Sequence, residues 1–152
     1  MKSLPVILAM SGLVFASPSL AEGDLSRAEP TQIVIEMGTV NDGTKSMFFK
    51  PNHLDLETGK AYEIVLHNVD SVKHEFAGHD FISRVFTRKV EITTASGDLV
   101  AEVKGNPAEI EVGAGQKVSW FIVPVQTGEN IAILCDIDGH LAAGMAGTVT
   151  IH

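Results

Sequence analysis

The sequence predicts an all-β sandwich, and three observations lead there. Apolar residues alternate over short stretches: Ile33, Ile35 and Met37; Ile64 and Leu66; Ile110 and Val112; Val118 to Val123; Ile131 to Leu134; Thr148 to Ile151. A period of two puts alternate side chains on opposite faces of an extended strand, so each stretch reads as a half-buried strand. Turn-forming groups divide them, among them Glu57-Thr58-Gly59-Lys60 and Gly113-Ala114-Gly115. A length of 152 residues suits one domain with one core. Many short strands separated by Gly and Pro turns fold as two packed sheets.

At the N-terminus, Lys2 precedes an apolar run from Leu4 to Phe15 and small residues ending Ser19-Leu20-Ala21. This is the pattern of a secretory signal peptide over residues 1–21, and the run is shorter than the roughly 20 residues that span a bilayer. Residues 22–30 are polar, end at Pro30 and read as a flexible lead-in, so the domain is expected over residues 31–152. The stretch Phe81–Lys89 interrupts the alternation. Phe81, Ile82, Val85 and Phe86 have spacings that a helical turn places on one face, which predicts a short helix or irregular excursion near residues 80–90. Residues 91–109, punctuated by Gly97, Gly105 and Pro107, read as a hairpin or loop-rich connection.

Charge and composition exclude some functions. The net charge of −8 becomes −9 once Lys2 leaves with the leader, which argues against a nucleic-acid partner. No GxGxxG or GxxxxGK(S/T) pattern is present, so nucleotide chemistry is unsupported. Cys135 is the single cysteine, in a chain expected to enter a compartment where disulfides form. It cannot make an internal bridge. A buried inert thiol, a nucleophile, an intermolecular bridge and a metal ligand all remain open on this count alone.

The neighbours of Cys135 narrow the choice. In CDIDGHLAAGM, residues 135–145, four residues separate Cys135 from His140 and four more separate His140 from Met145. Thiolate, imidazole and thioether are soft and borderline donors that suit copper, and a loop this short can fold all three around one ion. His74, in VKHEF, follows the strand ending at Asn68 and is the candidate for a fourth ligand. Two His and one Cys with a weak axial Met make the donor set of a blue-copper site. Zinc is the competing metal, but the paired CxxC or HxxxH spacings usual for structural zinc are missing. His53 and His152 read as solvated. His67, His79, Met37 and Met47 are the residues from which a second copper site would have to be built.

The order His74, Cys135, His140, Met145 resembles the cupredoxin signature. The run from Met47 to Phe76 is similar to the strand, turn and strand leading to the first cupredoxin His, and TVTIH is similar to its closing strand. The resemblance covers roughly residues 31–152, least well over Phe81–Asn106. VKHEF with CDIDGHLAAGM most resembles the small periplasmic cuproproteins linked to bacterial copper resistance. It implies a Greek-key sandwich and one Cu(I)/Cu(II) ion at His74, Cys135, His140 and Met145. It also implies a periplasmic monomer acting in electron transfer or copper tolerance. The partner would be a redox protein such as a periplasmic cytochrome, or a copper donor or acceptor. No enzyme activity is expected, because four protein donors leave no open position for substrate. The alternatives are a copper-dependent oxidoreductase and a chaperone without an electron-transfer role. Glu75 and Asp136 depart from the small amide and hydroxyl residues common at these places in plastocyanin-like proteins, and so set the hydrogen bonds around the site apart.

Overall fold

The computed structural model describes residues 28–152, so the expected signal peptide and most of the lead-in lie outside the described residues. The strands, in chain order, are β1 (Thr31–Thr39), β2 (Met47–Lys50), β3 (His53–Leu56), β4 (Tyr62–Asn68) and β5 (His74–Ala77). After the helix α1 (His79–Ser83) come β6 (Val85–Thr93), β7 (Leu99–Val103), β8 (Glu109–Val112), β9 (Lys117–Pro124), β10 (Gly128–Leu134) and β11 (Ala146–Ile151). Two mixed sheets form, with strand orders β2-β1-β4-β9-β6-β7 and β3-β11-β10-β5-β8. Most neighbours are not consecutive in the chain, because connections cross from one sheet to the other in Greek-key fashion. Two pairs, β1 with β4 and β3 with β11, are parallel.

Every alternating stretch of the sequence lies in a strand, and its inward residues meet between the sheets. Ile35, Met37, Ile64, Leu66, Trp120 and Ile122 come from the first sheet, and Leu54, Leu56, Phe76, Ile133, Val149 and Ile151 from the second. Each side chain fully buried in this way stabilises the fold by about 1.5–3 kcal/mol. At the centre Trp120 stands edge-on to Phe76 and Phe81, with ring centroids 6.2 Å and 5.6 Å away. Its Nε1–H donates to the Thr87 hydroxyl at 3.0 Å.

The excursion near residues 80–90 is part helix and part strand. Phe81 and Ile82 on α1 are buried, as the spacing predicts, but the helix ends at Ser83 and the chain becomes extended from Val85. Phe86 therefore leaves the face assigned to it. Val85 and Thr87 point inward while Phe86 is 60% exposed. The reason is the cluster of β-branched residues at Val85, Thr87, Val90, Ile92 and Thr93, which favours a strand that pairs along β9. Residues 91–109 contain the expected hairpin: β6 and β7 pair across a turn in which the Thr94 amide donates to the Asp98 carbonyl at 2.8 Å.

Candidate metal centre

The second sheet brings the two parts of the site together. β5 opens on His74 and lies antiparallel to β10, with Ala77 opposite Leu134, so the chain leaving β10 at Cys135 emerges beside the start of β5. The Glu75 amide donates to Cys135 Sγ at 3.2 Å, joining the two strand ends directly.

After Cys135 the loop folds back on itself. The Cys135 amide donates to the Met145 carbonyl and the Met145 amide to the His140 carbonyl, both at 3.1 Å. The Met47 amide, at the start of β2, pins the loop from outside by donating to the Ala143 carbonyl at 2.9 Å. Tight reversals precede two of the candidate ligands: Gly139 and Gly144 have φ of 85° and 97°, a left-handed conformation that glycine adopts without steric cost. His140 and Met145 are thereby aimed inward from a surface loop.

Three donor atoms converge. Nδ1 of His140 lies 3.3 Å from Nδ1 of His74 and 3.2 Å from Cys135 Sγ, and the three atoms lie within 4.8 Å of one another. Metal bonds to such donors are roughly 2.0–2.3 Å, so two ligands of one ion stand up to about 4.6 Å apart, and the cluster is of about the right size for one ion. His74, Cys135 and Met145 have no exposed surface, and His140 is half-buried. Burial, then the nearby His74, holds the His140 imidazole below its ordinary value, which keeps it neutral, as a ligand must be. Burial pushes the Cys135 thiol up, against the Glu75 and Ile137 amides that stabilise its anion. A buried sulfur gains a thiolate only with a cation to balance it, and a metal ion supplies one. The donors present therefore fit copper, and His74, Cys135 and His140 form a group that could hold one copper ion.

The structure thus gathers the three sequence candidates His74, Cys135 and His140 and buries Met145 at the end of the same loop. The residues considered for a second copper site do not gather. Met37 is sealed in the core, Met47 packs against it, and no metal-sized group of His, Cys and carboxylates among the described residues includes His67 or His79. His53 and His152 are exposed, as expected, but share a partner: His53 Nε2 and His152 Nε2 lie 3.5 Å and 3.4 Å from the Asp55 carboxylate.

Two features around the site are not evident from the sequence. Glu75, Glu109 and Asp136 bring their carboxyl oxygens together beside it, and the hydrogen bond to Asp136, together with partial burial and the charge of Glu109, pushes Glu75 up to about 7. Asp70 stands behind His74, its Oδ2 3.2 Å from Nε2. The only sequence signal for Asp70 is its position four residues before His74, in a segment that reads as a plain turn.

No protein-family model matches the sequence, and no curated protein matches it at a significant level. Solved structures do. A multicopper oxidase from Campylobacter jejuni superposes with a TM-score of 0.62 at 16% identity, covering 82% of this chain and 30% of the oxidase. A copper nitrite reductase from Nitrosomonas europaea gives 0.63 at 14% identity, over 89% of this chain and 53% of the reductase. This chain thus spans about a third to a half of the length of those two proteins. Reduced auracyanin from Roseiflexus castenholzii gives 0.50 at 14% identity, over 82% of this chain and 99% of the auracyanin. At such identities the likeness speaks for the fold, and that fold is the cupredoxin β-sandwich.

Proposed function

We propose that the protein binds a single copper ion through His74, Cys135 and His140, with Met145 as a further, weaker donor, and serves as an exported electron carrier. The observation behind this is the convergence of two imidazole Nδ1 atoms and one thiol sulfur in a buried pocket. Bound copper would supply a one-electron couple. The chain's own residues hold the ligands still, through the Cys135–Met145 and Met145–His140 backbone hydrogen bonds, and keep water from His74 and Cys135. A fixed ligand cage lowers the rearrangement needed between Cu(II) and Cu(I). Burial of three of the four donors supports a carrier over an enzyme, because it leaves little room for substrate at the ion. A periplasmic setting rests on the leader-like N-terminus; among the described residues no helix is long and apolar enough to cross a membrane.

The test is a titration with Cu(II). The loaded protein should absorb intensely in the visible through thiolate-to-Cu(II) charge transfer, with one ion per chain, whereas the zinc-loaded protein stays colourless. A colourless copper complex overturns the proposal. Copper tolerance is a second role that the same ligands would serve. Deletion in the source organism separates the two: unchanged tolerance with a slowed periplasmic respiratory step rules out the tolerance role, and the reverse rules out the carrier.

Electrons would pass through the half-buried His140, whose neighbour Leu141 is 52% exposed beside the small Ala142, Ala143 and Gly144. The acidic chain would steer a basic partner protein, such as a periplasmic cytochrome, to this apolar spot, raising the encounter rate more than the affinity. Leu141→Lys should leave the copper spectrum unchanged and slow electron exchange about tenfold at low salt, since rim charges act mainly on association. Unchanged exchange in stopped-flow mixing would place docking elsewhere.

A further inference from the structure

His74 is held at both ring nitrogens. Nδ1 faces His140 at 3.3 Å, Nε2 faces Asp70 Oδ2 at 3.2 Å, and the residue has no exposed surface. An ionised carboxylate can only accept, so Nε2 carries a hydrogen, and the ring in its neutral form then presents the Nδ1 lone pair to the pocket.

Asp70 is itself aimed. Its Oδ2 also accepts from the Thr39 hydroxyl at the end of β1, and its Oδ1 accepts from the Ser71 amide at 2.7 Å. The Asp70 amide donates to Asn68 Oδ1 at 2.9 Å. Asn68 is fully buried, and its side-chain amide donates to the carbonyls of Val72 and Val112 at 2.7 Å and 2.9 Å. The loop between β4 and β5 is therefore clamped to β1 and β8, and the carboxylate, with its side chain 16% exposed, has little freedom to swing away.

We infer that Asp70 is a positioning residue that fixes His74 in the Nε2–H tautomer and tunes the bound ion towards its oxidised state. The second half of this rests on the copper reading above. A carboxylate on the far nitrogen makes Nδ1 a stronger donor, as partners behind ligating histidines do. A stronger donor favours Cu(II) over Cu(I). Thr39 donates to the same oxygen that receives Nε2–H, so it draws charge from that oxygen and tempers the effect.

The two groups consequently have opposite signs. Asp70→Ala should lower the ratio of Cu(II) to Cu(I) affinity about tenfold, read as a rise of about 59 mV in the midpoint potential of this one-electron couple. Thr39→Val should shift the potential downward. In the metal-free protein, 15N spectra of the imidazoles should show His74 as the Nε2–H tautomer, turning into a mixture in Asp70→Ala. Potentials unmoved in both variants, or a wild-type His74 protonated at Nδ1, overturn the inference. A wild-type protein that takes up no copper overturns the copper reading and with it the redox half. The metal-free tautomer decides the positioning half in either event.

Discussion

Cys135→Ser should abolish the visible charge-transfer band of the copper-loaded protein and weaken Cu(II) binding by more than about 100-fold, the upper end of what losing a mere supporting group costs. A hydroxyl has no accessible anion at neutral pH and none of the softness of sulfur. The fold should survive. Cys135 lies buried with its Sγ accepting from the Glu75 amide, and a serine oxygen can accept the same hydrogen bond, so the expected cost is about 1 kcal/mol. Absorption spectra of the loaded variant check the first part and thermal unfolding of the metal-free variant the second. An intense visible band surviving in Cys135→Ser would remove the sulfur from the site.

The largest effect on stability is expected at Trp120. Its ring is fully buried between Phe76 and Phe81 and holds the Thr87 hydroxyl. Trp120→Ala opens a cavity that rigid strands from both sheets cannot close, at a cost of about 3–5 kcal/mol. Thr87, only 4% exposed, loses its partner as well, which places the loss at the upper end of that range. Against a total of about 5–15 kcal/mol for an ordinary domain, that removes a large share. The site should suffer with it, because Phe76 is two residues beyond His74 on β5 and anchors that short strand. Denaturant unfolding of the metal-free protein measures the loss; a drop below about 2 kcal/mol would mean that the surrounding side chains refill the space.

The sandwich was legible because its signal is local. Alternation at Ile33-Ile35-Met37 or Ile131-Ile133 needs no knowledge of the partner strand, since period two and burial on one face are properties of the strand itself. The excursion near residues 80–90 is only partly legible. Phe81, Ile82, Val85 and Phe86 fit a helical face as well as they fit a turn of helix followed by a strand, and pairing with β9 decides between the two. The four-residue strands β2 and β5, MFFK and HEFA, lack apolar alternation, whereas β8, of the same length, shows through Ile110 and Val112.

For the site, one stretch of chain is enough to propose Cys135, His140 and Met145, because ligands from a single loop must be close whatever the fold. His74 is legible in the sequence only as a candidate for a fourth donor. Its place beside Cys135 is a consequence of β5 pairing with β10, a contact across 60 residues of chain. The support behind the ligands belongs to tertiary structure altogether. Asp70 is one of many acidic residues in the sequence, and it becomes a partner of His74 only where β1, the β4–β5 loop and β8 converge. Donor type and spacing are chemical properties of the chain; hydrogen bonds behind a ligand depend on which distant backbones pack together, and those are set by the fold.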